Sequence, residues 1–284
     1  MMVAWMQAKD AYPIQQGCEL MDLSRSTYYY QSHGPDESEL IADVEEVLGQ
    51  NVKRGTRRVC RELRRPPYNY RINRKRIQRI MRQKGWLRVV KSQKRHTTNS
   101  EHAYKRYPNL VKELEITHPD QVYASDITYI RLGHGFVYLA VVMDIYTRSI
   151  RGWCLSKRSD QSLSLSALEM ALQDHVPEIH HSDQGVQYAA NTYTDLLTAH
   201  KVQISMSAAG SPQENGYVER FMRTIKEEEV ELSEYRDFSD ARKQIGHFIE
   251  DVYNQKRIHS SLGYLTPAEF EADWNAKLSK VSTP

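Results

Sequence analysis

Between residues 121 and 155 the chain reads as three strands in immediate succession, and this pattern narrows its fold more than any other. "QVYASDITYIRL" is rich in β-branched and aromatic residues, and "GFVYLAVVMDIYTRSIRGWCL" supplies two further runs of the same kind. Gly133 and Gly135 mark the first turn, and Asp144 to Arg148 the second. Connections this short join antiparallel neighbours. Downstream the period changes. Leu165, Leu168 and Leu172 give residues 162–173 a helical spacing, and residues 178–182 form a short strand. A helix over 193–200, a strand over 202–206 and a Gly/Ser/Pro loop at 210–213 come next. Helices are then predicted over 215–231 and 239–254. The expected core is an α/β domain over residues 110–255, a mixed five-stranded sheet with flanking helices, closed by a tail over 256–284.

The residues upstream are of another kind. Residues 53–106 hold 20 Lys and Arg against two acids, Glu62 and Glu101, whereas the remainder holds 19 basic and 34 acidic residues. Solvated surfaces usually mix their signs. A block this basic points to a polyanion, nucleic acid first, with a solvated helical face as the plain alternative. An amphipathic stretch over 37–48 is followed by residues 56–63, which turn Val59, Cys60 and Leu63 inward and Arg57, Arg58, Arg61 and Arg64 outward. Asn73 caps a further helix with Ile77, Ile80 and Met81 inward. Residues 37–90 are thus an all-helical basic module. Its Arg57, Arg58, Arg74, Lys75, Arg76 and Arg79 are expected to meet DNA phosphates, positioning DNA rather than reading bases. Residues 1–36 read as a helix-turn-helix-like segment: Ile14, Cys18 and Met21 keep helical spacing, and Ser24 caps a second helix bearing Tyr28, Tyr29 and Tyr30. That second helix either enters a DNA groove or packs as a small hairpin. Residues 91–109 are a polar, basic linker.

Other classes are disfavoured. No run approaches the ~20 apolar residues of a membrane span, and the first ten residues lack a secretion signal. Cys18, Cys60 and Cys154 follow no paired spacing, which argues against a disulfide framework or zinc and for a cytoplasmic protein.

Three acids stand out to different degrees. Asp126 lies within the first strand and shares a face with Val122, Ala124, Thr128 and Ile130. A carboxylate there is costly unless paired or metal-bound; the alternative is an edge strand open to water. Asp183 follows an apolar strand end, with Gly185 allowing a tight turn; alone it reads as an ordinary turn residue. Glu219 flanks the apolar stripe Val218, Phe221, Met222 and Ile225, with Arg223 and Lys226 on its own side; alone it reads as a salt-bridged surface glutamate. Together, two strand positions and one helix position can converge at one edge of such a core. The absence of His-rich and Cys-rich spacings favours a hard divalent ion over zinc.

The strand and helix order is that of a ribonuclease-H-like core, and several motifs resemble one family, the orfB-type insertion-sequence transposases, relatives of retroviral integrases with a DDE core. "SDITYI", "YLAVVMDIYTRSIRGW", "HSDQGVQY" and "SPQENGYVERFMRTIKEE" resemble its successive motifs, and "NQKRIHSSLGYLTPAEF" its closing tail. Thirty-five residues separate Asp183 from Glu219, the family's interval, and Lys226 stands seven residues after Glu219, where the family carries a basic residue. Many relatives have Trp at the position of Tyr123. The resemblance implies two Mg²⁺ ions, replaceable by Mn²⁺, held by Asp126, Asp183 and Glu219. It implies DNA contacts by Arg223 and Lys226, and cleavage and strand transfer at the element ends. It further implies at least a dimer acting on element and target duplexes in the bacterial nucleoid, and a partner or fusion from an upstream reading frame, of which this chain looks like the downstream product. A DNA-binding regulator, an inactive relative and a plain ribonuclease-H-type nuclease are the competing functions.

Overall fold

The computed structural model describes residues 14–20, 22–29, 36–50, 54–87, 104–132, 135–208 and 215–281. It contains two compact units, residues 1–45 and 46–284. In the first, helices α1 (Ile14–Leu20) and α2 (Arg25–Tyr29) are joined by a turn closed by Leu23 N donating to Cys18 O at 2.9 Å. The Thr27 amide donates to Ser24 Oγ at 3.1 Å, which is the expected cap. The helix so capped has five residues, and Tyr30, expected on it, lies outside the described residues. Helix α3 (Ser38–Gln50) runs across the division between the units.

The second unit opens with α4 (Thr56–Glu62) and α5 (Arg74–Gln83). Val59, Cys60, Leu63, Ile77, Ile80 and Met81 are buried, as their spacing predicts. The Lys75 amide donates to Asn73 Oδ1 at 2.9 Å, capping α5. Most of the expected linker lies outside the described residues. Its end is fastened rather than loose: Pro108 O accepts from Met206 N at 3.3 Å, and just past the linker Leu110 N donates to Ser205 Oγ at 2.9 Å.

Strands β1 (Val122–Leu132), β2 (Gly135–Asp144) and β3 (Ile150–Ser156) form the expected meander, followed by α6 (Gln161–Ala171), β4 (Ile179–Ser182), the short α7 (Val186–Ala189), α8 (Asn191–Ala199), β5 (Gln203–Met206) and α9 (Gly216–Ile225). The sheet order is β3-β2-β1-β4-β5, with β1 antiparallel to β2 and parallel to β4. This is the ribonuclease-H-like order. Helix α9 continues into a wider π-helical turn, Lys226–Val230; α10 (Phe238–His247) does the same over Phe248–Tyr253; α11 (Pro267–Val281) ends the described chain.

Alternation along the strands sorts the core into two layers. Val122, Ala124, Val141 and Met143 pack with Val218, Phe221 and Ile225 of α9 and Ile245 of α10. On the other face Tyr123, Ala140 and Val142 pack against Leu163, Ala167 and Ala171 of α6. Gly152 lets α6 approach: a Cβ there would stand 2.1 Å from the Ala167 carbonyl oxygen. Asp144, read as a turn residue, is fully buried and closes the β2–β3 turn, accepting from Tyr146 N at 2.8 Å and Thr147 Oγ1 at 2.9 Å. Among the described residues no helix is long and apolar enough to cross a membrane.

Candidate active site

Strand β1 is central in the sheet, but Asp126 lies two residues past its ladder with β4, where β2 alone pairs with it. It pairs with Val141 of β2. On its other side the parallel ladder with β4 matches Val122 to Ile179, Tyr123 to His180 and Ala124 to His181. Continuing that register by two residues brings Asp183 level with Asp126, on the same face. The parallel ladder thus points two aspartates 57 positions apart in the chain toward one another past its end, near enough for the charge of Asp183 to raise the Asp126 carboxyl. The third acid, Glu219, stands exposed on α9, which lies over the same face of the sheet.

The start of α9 is tied to β1 beside the aspartate. Asn215 is buried, and its Nδ2 donates to Ser125 O at 3.0 Å. Sequence reasoning passed over Asn215; its only signal was a position at the head of the helix bearing Glu219. Behind the two aspartates, His180 Nε2 contacts Ser125 Oγ at 2.8 Å and the Tyr193 hydroxyl at 2.9 Å, and His181 Nδ1 contacts Ser205 Oγ at 2.8 Å. Both histidines are buried. Tyr188 is buried behind the aspartates, and its hydroxyl has no hydrogen-bond partner among the described residues.

The electrostatics follow from this crowding. Burial first, then the charges of Asp183 and Glu219, push the Asp126 carboxyl up to about 7, against the pull of the Ile127 amide donating to Oδ1 at 2.8 Å and of Lys226. Lys226 Nζ sits 4.7 Å from the centre of the Tyr129 ring. Burial pushes its ammonium down, and Asp126 opposes the shift. The Gly185 amide donates to Asp183 Oδ1 at 2.8 Å. Among the described residues no three Asp, Glu, His or Cys side chains stand close enough to hold an ion jointly. Asp126 is partly buried, whereas Glu219 is exposed on α9. The donor chemistry still fits a hard divalent cation: all three side chains are carboxylates, and a positive charge beside Asp126 would offset the charges of Asp183 and Glu219 that raise it.

The expected DNA contacts divide. Arg57, Arg74, Lys75 and Arg79 are exposed, Arg76 is partly so, and Arg223 is exposed on α9. Arg58 departs from expectation. It turns inward and donates to Glu228 Oε1 at 2.8 Å, because Glu228 is a buried carboxylate that needs partners. Arg257 donates to the same carboxylate through Nε at 2.8 Å and Nη2 at 3.0 Å. Arg61 lies over the Tyr264 ring at 4.5 Å, and Arg65 pairs with Glu269. The helical module is clasped to the end of the core, a contact spanning about 170 residues of sequence.

Comparison with known proteins agrees with this architecture. Residues 116–212 and 200–267 match two models described as integrase core domain, and residues 35–95 match one described as HTH-like domain. The chain is 33% identical over 275 residues to the insertion element IS600 uncharacterized 31 kDa protein of Shigella sonnei, covering 91% of this chain and 98% of that one. It is 34% identical over 203 residues to the transposase for insertion sequence element IS904 of Lactococcus lactis, covering 70% and 80%. Among solved structures, the HTLV-2 integrase catalytic core domain in complex with magnesium is similar at a TM-score of 0.42 and 15% identity, covering 54% of this chain and 97% of that one.

Proposed function

Since the chain belongs to the insertion-sequence transposases built on an integrase core domain, DDE-type polynucleotidyl transferases that act on DNA, we propose that Asp126, Asp183 and Glu219 are its catalytic acids. The observation that supports the assignment is the parallel ladder of β1 with β4, which ends two residues short of both aspartates, together with the charge of Asp183 and Glu219 acting on Asp126.

Two Mg²⁺ ions, with Mn²⁺ able to replace them, are the cofactor these oxygens suit, and Asp126, Asp183 and Glu219 would hold them. When bound, such ions activate a hydroxyl nucleophile and stabilise the departing 3′-oxygen. The chain's own residues do the rest. Burial and the charges of Asp183 and Glu219 raise the Asp126 carboxyl, and a positive charge beside it would favour its carboxylate form. The sheet and α9 cover it in part. Lys226, held over Tyr129 and facing Asp126, offers its ammonium to a phosphate beside the reacting one, and Arg223 extends that contact along the exposed helix surface. Arg57, Arg74, Lys75, Arg76 and Arg79 position the duplex further away; Arg58, committed to Glu228, is left out of this set. The reaction is cleavage at the element ends followed by strand transfer into a target phosphodiester. Two ends must meet, so the working form is at least a dimer. Association with an upstream-frame product and with the bacterial nucleoid belongs to the same reading.

Asp126→Asn, Asp183→Asn and Glu219→Gln are each expected to reduce Mg²⁺-dependent strand cleavage to background while duplex binding persists. Full cleavage by any one of them would remove that residue from the site. Products joined to target DNA, rather than merely nicked, distinguish transfer from hydrolysis.

A further inference from the structure

Helix α9 has a second working flank. At about 100° per residue, Glu219 and Lys226 fall on one side of its buried stripe, while Tyr217, Arg220 and Thr224 fall on the other. That second flank faces a cavity of about 250 Å³, also lined by Arg58, Arg148 and Arg257. Four arginines line it and no acid does; two of them, Arg58 and Arg257, are already engaged by Glu228. This leaves the charges of Arg148 and Arg220 facing the cavity.

Arg148 is the unusual member. Its backbone sits at φ 63°, in the left-handed region that costs a non-glycine residue of order 1 kcal/mol or more. Its guanidinium carbon lies 3.9 Å from the centre of the Tyr217 ring. Stacking holds the plane of the fork and leaves its in-plane N–H groups free to meet an anion. One of them, Nη1, is buried without a hydrogen-bond partner among the described residues. A strained turn, a stacked guanidinium, an unanswered buried donor and an excess of positive charge in one cavity are all accounted for by a bound oxyanion. The cavity shares Arg58 and Ser260 with a neighbouring groove of about 390 Å³ lined by Arg57 and Arg74, so positive charge continues outward onto the helical module.

We propose that this cavity is a DNA-backbone site, in which Arg148, stacked on Tyr217, and Arg220 grip a phosphodiester on the flank of α9 opposite Glu219. The inference rests on the transposase reading and adds to it. A helix with its side chains is about 10–12 Å across, so the phosphate held here is not the one being cut. It belongs to another stretch of the bound DNA, and the site fixes that stretch relative to the catalytic helix.

The test is duplex binding by the full chain across a salt series. Two variants are used, Arg148→Gly and Arg220→Ala. Glycine adopts φ 63° without strain, so Arg148→Gly keeps the turn and is expected to leave the melting temperature unchanged or raised. Each variant is expected to bind about tenfold more weakly at fixed salt. Each should also lower the slope of log K against log salt by about 0.9, the share of one phosphate contact. One duplex carries the terminal sequences flanking the chain's own reading frame and another is unrelated; the duplex on which the slope changes identifies the DNA held. Unchanged slopes on both duplexes, with both variants folded, overturn the proposal. So does a fall in melting temperature for Arg148→Gly with binding intact, since that marks a structural arginine. Wild-type protein that binds neither duplex would instead sink the transposase reading beneath it.

Discussion

The amide of Gly185 reaches Asp183 only because nothing projects from its α-carbon: a Cβ there would stand 2.8 Å from Asp183 Oδ1. Gly185→Ala is therefore expected to swing the carboxylate away while leaving the sheet intact. A displacement of about 1 Å at a reacting centre can cost on the order of 100-fold in rate. The check is strand cleavage alongside thermal melting; a variant that melts normally and cleaves at full rate would show that the position of Asp183 is unimportant. At this scale the sequence was informative where a residue broke a local rule. Asp126 was conspicuous because an acid in an apolar strand demands a reason, and burial beside Asp183 and Glu219 supplies one. Arg148 was not conspicuous. An arginine in a turn is ordinary in sequence, and only its positive φ and its stacking on Tyr217 set it apart.

At the scale of elements, the tight fit of α6 on β3 is the most sensitive contact. A Cβ at Gly152 would meet the Ala167 carbonyl oxygen at 2.1 Å and the Ala171 amide nitrogen at 2.7 Å, both backbone atoms that cannot swing aside. Gly152→Ala is expected to destabilise the protein by about 1–3 kcal/mol or more, seen as a lower midpoint in urea; an unchanged midpoint would mean that α6 slides freely. The elements themselves were largely legible. Period two and period 3.6 separate the three leading strands from the helices that follow. Two things were not. Periodicity carries no information on which strands pair, so the parallel ladder of β1 with β4 that points Asp126 and Asp183 toward one another emerges only in the folded sheet. The wider turns at Lys226–Val230 and Phe248–Tyr253 are too short for their period to differ visibly from that of an α-helix.

Within the second unit, Glu228 is the node at which α4, the extension of α9 and the C-terminal segment meet. Burial alone would raise its carboxyl, but the hydrogen bonds and charges of Arg257 and Arg58 together pull it down to about 2. The sign follows from linkage. A carboxyl lowered from its usual 4.5 contributes stability that is fully present above that value and is lost as pH falls through about 2. Urea midpoints measured from pH 5 downward should therefore fall, and Glu228→Gln should flatten this acid-side slope; an unchanged slope would deny the residue its role. At pH 7, Glu228→Ala strands the buried Arg257 and the partly buried Arg58 and is expected to cost about 3 kcal/mol. None of this was legible from the sequence, where Arg58 is one basic residue among 20 in its block and its partner lies 170 positions away. That separation also sets a clock on the protein's birth. The partners of Arg58 and Arg65 emerge 170 and 204 residues later, which at roughly 5–20 residues per second is about 10–40 s of translation. For that interval the basic helices are outside the ribosome with their clasp still unmade, so a nascent chain presents its most cationic surface before it possesses a finished catalytic core.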